Sequence, residues 1–222
     1  MIDILVFGGG MVCLDIINYL KDVSKFTRKK INIVGVVEPK KIDKKNTKKI
    51  YGKKIRHYLN LKNINFDKKK TFSIITSGDP FIREKCRLEI KKKGLKLFTL
   101  IHPTSYVHDS AVIGEGCILA PFSLIGSKTK LEENIFVNIY SSTGHHCFIG
   151  KSSVMSPYST LNGGGHSGKM SFLGTNSVIT SQAKLGNYCK LGAGSVLYKK
   201  TNNNCLVTGN PAESILKYNK KR

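Results

Sequence analysis

The 222-residue chain has no tryptophan and few acids, 14 Asp and Glu against 37 Lys and Arg, for a formal charge of +23. It is also short of arginine. Only Arg28, Arg56, Arg83, Arg87 and Arg222 stand among those 37 cations. Arginine supplies the rigid fork preferred for base edges and phosphates, and no basic patch is interleaved with aromatics, so nucleic-acid binding is not expected. Residues 1–100 hold 25 Lys and Arg against 9 acids, net +16, and the remainder 12 against 5, net +7. Runs such as Lys40-Lys41 and Lys68–Lys70 read as solvated loops, although a positive field can still draw in phosphorylated small molecules. No apolar stretch approaches the ~18 residues of a membrane span, and the opening MIDILVFGGG lacks a basic n-region and cleavage site. Neither membrane insertion nor export is expected. The six cysteines follow neither a zinc spacing nor a disulfide framework, which points to the reducing cytoplasm.

The first hundred residues alternate strand and helix. Ile2–Phe7 is an apolar run followed by Gly8-Gly9-Gly10 and a helical pattern through Ile16, Ile17 and Leu20. Ile31–Val37 is a second run, ending at Glu38, and Phe72–Thr76 a third, followed by Ser77-Gly78-Asp79-Pro80. Asp79 suits a helix N-cap and Pro80 the first helical position; Ile82, Cys86 and Ile90 then recur at i+4, and Gly94 can close the helix. Leu95–Ile101 reads as a fourth strand. This order predicts a small parallel sheet flanked by helices, a Rossmann-like α/β domain over residues 1–100. Gly8, Gly9 and Gly10 can either cradle a phosphate or make a tight turn, since the full G-x-G-x-x-G fingerprint is absent. Glu38 can accept from a ribose hydroxyl or simply end its strand in water.

From Val107 onward a six-residue period takes over. Of the sixteen positions from 107 to 197 taken every sixth residue, fourteen are aliphatic or Met; Thr143 and Ser167 are the exceptions. Four residues after each, from 111 to 195, the side chain is small except at Ile135, and no insertion breaks the phase. That pattern is a β-solenoid, each hexad a short strand plus a corner with its large residue inward. Cys117, Cys147 and Cys189 occupy the small inward position and read as core.

On these residues, and on LIHPTSYVHDSAVIGEG (Leu100–Gly116), VNIYSSTGHHCFIG (Val137–Gly150), LGAGSVLYKK (Leu191–Lys200) and GNPA (Gly209–Ala212), residues 95–222 resemble the hexapeptide-repeat acyltransferases. With the α/β half, the whole chain resembles bacterial sugar acetyltransferases related to the sialic acid O-acetyltransferases and the bacillosamine-pathway amino-sugar N-acetyltransferases. The resemblance implies a left-handed parallel β-helix over residues 101–222, ending in a C-terminal tail, and homotrimers with acetyl-CoA between neighbouring β-helices. It also implies a nucleotide-activated sugar as acceptor, bound by residues 1–100 at Gly8, Gly9, Gly10, Glu38 and Gly78. Surface glycan synthesis in the cytoplasm, without a metal, is the implied setting.

By the same resemblance, His145 matches the catalytic base. Its hexad also lacks the inward aliphatic residue, a local breach of the repeat of the kind expected at functional sites. Asn138 matches a residue facing the acceptor, or is a corner Asn suited to left-handed backbone. His166, within Gly163-Gly164-Gly165-His166, matches a CoA contact, the glycines letting the pantetheine arm approach the backbone; Thr175 and Ala193 match positions that hold CoA by main-chain groups. Two departures stand out. Much of the family has an acid after the catalytic His, where this chain has His146, and the first loop is shorter than in many relatives. Without a carboxylate partner His145 is a modest base, which favours an amine over a hydroxyl as nucleophile, with His146 as its hydrogen-bond partner. Sugar O-acetylation, a zinc carbonic anhydrase built on His145, His146 and His166, and a non-catalytic trimeric nucleotide-sugar-binding protein are the competing readings.

Overall fold

The computed structural model describes residues 1–38, 55–61 and 66–217. The chain opens with β1 (Ile2–Phe7), α1 (Met11–Thr27), β2 (Ile31–Val37), β3 (His57–Tyr58), β4 (Thr71–Ile75), α2 (Pro80–Lys92) and β5 (Lys96–Leu97). The strands form one parallel sheet in the order β3-β2-β1-β4-β5, so the chain changes direction of growth between β1 and β4. Ligands of open α/β sheets bind outside the carboxyl ends of the strands at such a switch. The loops that meet there are Gly8–Gly10 and Ser77–Gly78.

Asp79 caps α2, its carboxylate accepting from the amides of Phe81 and Ile82, with Pro80 following as expected. The buried face of α2 differs from the expected one. Ile82 is exposed, while Arg83 and Arg87 are buried along with Ile90. The reason is tertiary: α2 packs against polar groups of the solenoid, which an apolar stripe cannot satisfy. Leu95–Ile101 is likewise two strands rather than one. The amide of Phe98 still donates to Ser73 in the α/β sheet, but that of Leu100 donates to Cys117 in the solenoid. The interruption at Phe98-Thr99 is where the chain passes from one sheet to the other. Lys68–Lys70 is an exposed turn, whereas Lys40-Lys41 lies outside the described residues.

The remainder is a β-solenoid of about six turns with three sheet faces of six, five and eight strands, the last including the two strands of a closing hairpin. Partner strands lie 18 residues apart, as in Phe136↔Val154 and Phe148↔His166, so three hexads make one turn. The second residue of each two-residue strand points inward. Leu119, Ile125, Val137, Ile149, Leu161, Leu173, Leu185 and Leu191 are all fully buried in one core, each contributing roughly 1.5–3 kcal/mol. Cys117, Cys147 and Cys189 lie in that core, as expected, with thiols directed at the carbonyls of Glu132, Asn162 and Asn202. Every sixth residue from Gly116 to Gly194 adopts a left-handed backbone, including Phe122, Asn134, Tyr140, His146, Tyr158 and Gln182. Asn138 is not among them. The conformation suited to Asn falls on Asn134 and, in the hexad of Asn138, on Tyr140.

The α/β unit sits on the eight-stranded face. Ile118, Phe136 and Val154, the outward residues of that face, share an apolar cluster with Ile4, Val6, Ile16 and Leu20. The chain closes in an antiparallel hairpin of Cys205–Gly209 and Ala212–Lys217, with Asn210-Pro211 at its turn.

Candidate active site

The edge between the six- and five-stranded faces carries His145 and His146, in the turn between Ser142–Thr143 and Phe148–Ile149. Below the pair, the inward position is held by buried Thr143, whose hydroxyl accepts from the amide of Gly126. The two imidazoles meet edge to face, with Nδ1 to Nδ1 at 3.0 Å. One of these nitrogens must carry the proton and donate, and the other accept. His146 adopts a left-handed backbone, with its amide donating to the carbonyl of Ser127.

Gly163 lies one turn further along the same edge. A Cβ there would come within 2.6 Å of His145 Nε2 and 2.7 Å of Cε1, so the imidazole occupies the space that any side chain at Gly163 would need. The first of the three glycines therefore makes room for the histidine, a role the sequence reading had not given it. On the adjoining five-stranded face the outward residues Phe148, His166 and Lys184 stand in a column, the His166 ring stacked on Phe148 with centroids 4.7 Å apart. Burial, and then the Lys184 charge, hold the His166 imidazole below its ordinary pKa, with Glu132 acting in the opposite sense. It stays neutral at neutral pH. Beneath it Ser167 takes an inward position, fully buried, with no hydrogen-bond partner for its hydroxyl among the described residues.

Together His145, His146, Phe148, His166, Gln182 and Lys184 line an open groove of ≈ 390 Å³. A second groove of ≈ 260 Å³ shares His166 and Lys184 and continues to Lys200 and Thr201. Among the described residues, neither groove is lined by a carboxylate. Phe148, Gln182 and Lys184 were not singled out from the sequence. The repeat held the signal: counting 18 residues on from Phe148 reaches His166 and then Lys184, and from Gly164 it reaches Gln182.

The structure does not bring all the expected residues together within one chain. Asn138, Thr175 and Ala193 stand on the edge between the eight- and six-stranded faces, one face away from His145. The Asn138 side chain accepts from its neighbour's amide at Ile139, and Thr175 and Ala193 are exposed. On that same edge Phe122, Tyr140 and Tyr158 form an exposed ladder, with ring centroids 5.0 and 5.1 Å apart. In the α/β unit, Gly8 takes φ +105°, and a Cβ there would meet Thr76 Oγ1 at 2.8 Å. The Glu38 carboxylate accepts from the amide of Gly9 at 2.6 Å, so it helps close the first loop rather than ending in water. Gly78 borders open space. Among the described residues no three His, Cys, Asp or Glu are gathered to hold a metal ion, and no helix is long and apolar enough to cross a membrane.

No protein-family model matches the chain. It is 32% identical over 111 residues to GDP-perosamine N-acetyltransferase of Escherichia coli O157:H7, covering 50% of each chain. It is 27% identical over 113 residues to the acyl-[acyl-carrier-protein]–UDP-N-acetylglucosamine O-acyltransferase of Campylobacter concisus (strain 13826), covering 48% of this chain and 43% of that one. The chain thus spans about half the length of the curated relatives it matches. Solved structures superpose over nearly all of it. The acetyltransferase domain of PglB from Neisseria gonorrhoeae FA1090 gives a TM-score of 0.84 at 22% identity, covering 96% of this chain and 99% of that one. PerB from Caulobacter crescentus, in complex with CoA and GDP-perosamine, gives 0.79 at 21% identity, covering 96% of both. In its repeat and its fold, the chain is similar to the hexapeptide-repeat β-helix acetyltransferases.

Proposed function

We propose that the protein is an acetyl-CoA-dependent N-acetyltransferase acting on a nucleotide-linked amino sugar for a surface glycan, in the cytoplasm. The observation that carries this reading is the His145–His146 pair at the head of a groove with no carboxylate among its described lining residues. In this reading His145 holds its proton on Nδ1 and donates it to His146 Nδ1, leaving Nε2 bare over Gly163. Nε2 then takes the proton from the sugar amine as the C–N bond forms and the thiolate of CoA leaves. The donor runs along the two connected grooves past His166. Lys184 and Lys200 lie about two and about three coils of ~4.8 Å from the His145 level, at the reach of a pantetheine arm, and supply positive charge for its phosphates.

The switch-point loops Gly8–Gly10 and Ser77–Gly78 of the α/β unit, whose strand order is that of a Rossmann-like sheet, are assigned to the nucleotide of the acceptor. Glu38, already turned into the first loop, is within the same reading a partner for a ribose hydroxyl. A homotrimer completes the site: Asn138, Thr175 and Ala193 of one copy would face His145 and His166 of the next, covering the aromatic ladder. O-acylation is the second reading, favoured by the likeness to an O-acyltransferase; His146 in place of a carboxylate favours the amine.

The test is release of CoA thiol from acetyl-CoA in the presence of GDP-perosamine or UDP-linked amino sugars, with light scattering for mass. Transfer by a trimer is expected. No transfer to any amino sugar, with no binding of acetyl-CoA by calorimetry, overturns the reading in favour of a non-catalytic binding protein.

A further inference from the structure

The least expected side chain in the molecule is Arg83. It is completely buried, and the groups its guanidinium donates to are neutral oxygens. Nε donates to the backbone oxygen of Asn134 at 3.0 Å and Nη2 to its Oδ1 at 2.8 Å; Nη1 donates to the carbonyls of Ile75 at 2.8 Å and Ser77 at 3.1 Å. The guanidinium carbon lies 5.7 Å from the ring centre of Phe136. Burial lowers the pKa of the group to about 10, so it remains charged at neutral pH. A buried cation held by carbonyls costs more than an apolar side chain of the same volume, so its contribution is to geometry rather than to stability.

That geometry has two ends. On the solenoid, Asn134 Nδ2 donates to Ser152, whose hydroxyl donates to Glu84 at 2.6 Å. Glu84 in turn is gripped by both Nε and Nη2 of Arg87, and Arg87 and Lys91 both donate to Glu133. On the α/β unit, Arg83 holds the carbonyls on either side of Thr76. The Thr76 hydroxyl lies 3.0 Å from the carbonyl of Phe7 and 2.9 Å from that of Gly8. One guanidinium and one hydroxyl thus tie both switch-point loops to Asn134, which belongs to the same solenoid turn as His145.

We propose that Arg83 is a positioning residue for the acceptor: through Asn134 it sets the Gly8–Gly10 and Ser77–Gly78 loops relative to the coils that carry His145. The inference rests on the assignment of those loops to the acceptor's nucleotide. It predicts that the clasp governs acceptor recognition and leaves the donor groove untouched, because none of its members lines that groove.

Asn134→Gly is the discriminating variant. Glycine accepts the left-handed backbone of residue 134 (φ +60°) and keeps its carbonyl, so only the side-chain amide is lost. The KM for GDP-perosamine, or for a UDP-linked amino sugar, is expected to rise about tenfold, the scale of one hydrogen bond to a charged group. The KM for acetyl-CoA and kcat should stay within about twofold, a split that a general loss of structure would not give. Arg83→Met should act in the same direction and more strongly. Amide exchange provides a readout independent of turnover: in Asn134→Gly, Gly8–Gly10 and Ser77–Asp79 should exchange faster, with Met155 and Leu173 unchanged. Loop exchange at the wild-type rate, or donor and acceptor KM rising together, overturns the proposal. If wild-type protein transfers acetyl to no amino sugar, the functional reading falls, and the exchange experiment still decides whether the clasp sets the loops.

Discussion

The solenoid and the α/β unit bury their residues by different rules. In the solenoid, position within the hexad decides the environment: Leu185 and Leu191 are both fully buried because each holds the same place in the repeat. In the α/β unit, position along the helix does not suffice. On α2 the apolar Ile82 is exposed and the charged Arg83 buried, because the neighbouring solenoid edge offers Asn134, Ser152 and Glu133 rather than an apolar wall. A periodic fold makes each environment a local matter, whereas a docked sheet makes it depend on residues fifty positions away.

In the proposed reading the solenoid carries the chemistry and the α/β unit recognises the acceptor, and kinetics can break that division. His145→Ala should lower kcat by roughly 10²–10⁴, the typical contribution of a general base, with little change in acetyl-CoA affinity. His166→Ala should instead raise the KM for acetyl-CoA with a smaller effect on kcat. If the two variants behave alike, the division between base and donor groove is wrong.

Much of this was legible in the sequence. The hexad fixed the inward residues, identified the three core cysteines, and marked the turn of His145 by the lapse at Thr143. The 18-residue turn carried more than was read from it. The outward residues Ile118, Phe136, Val154 and Phe172 are apolar at that spacing, and they mark the face on which the α/β unit docks. Counting by 18 also stacks Gly163 on His145 and Lys184 on His166. The Arg83 clasp was not legible, since nothing in the local pattern of α2 separates an arginine reaching Asn134 from one reaching water. The separation of Asn138 from His145 follows from three faces per turn, which a linear motif hides.

Acid should separate the two regions. Arg87 holds the Glu84 carboxyl below the usual carboxylate range, and Lys91 does the same for Glu133. A carboxylate with a depressed folded-state pKa adds stability that is complete above its unfolded value, roughly 4.3, and lost as the pH falls through the folded value. Below about pH 4.3 the amides of α2 should therefore exchange before those of the solenoid strands, which rest on apolar packing. Simultaneous loss in both regions would mean that the ion pairs do not set the attachment.

The smallest effect tests the idea that the repeat lapses for function. Ser167→Ala removes a buried hydroxyl with no partner among the described residues and should stabilise the protein by about 1 kcal/mol, raising Tm by roughly 2–4 °C. A destabilised variant would show that the hydroxyl is satisfied after all.

In the proposed reading His145, paired with an imidazole instead of a carboxylate, serves an amine. The most direct measurement is the fate of the acetyl group itself. After transfer from radiolabelled acetyl-CoA to the nucleotide-linked sugar, the product is treated briefly with dilute alkali, with a control excluding acyl migration. Label retained on the sugar as an acetamide is the predicted result; label released as acetate from an ester would contradict the account.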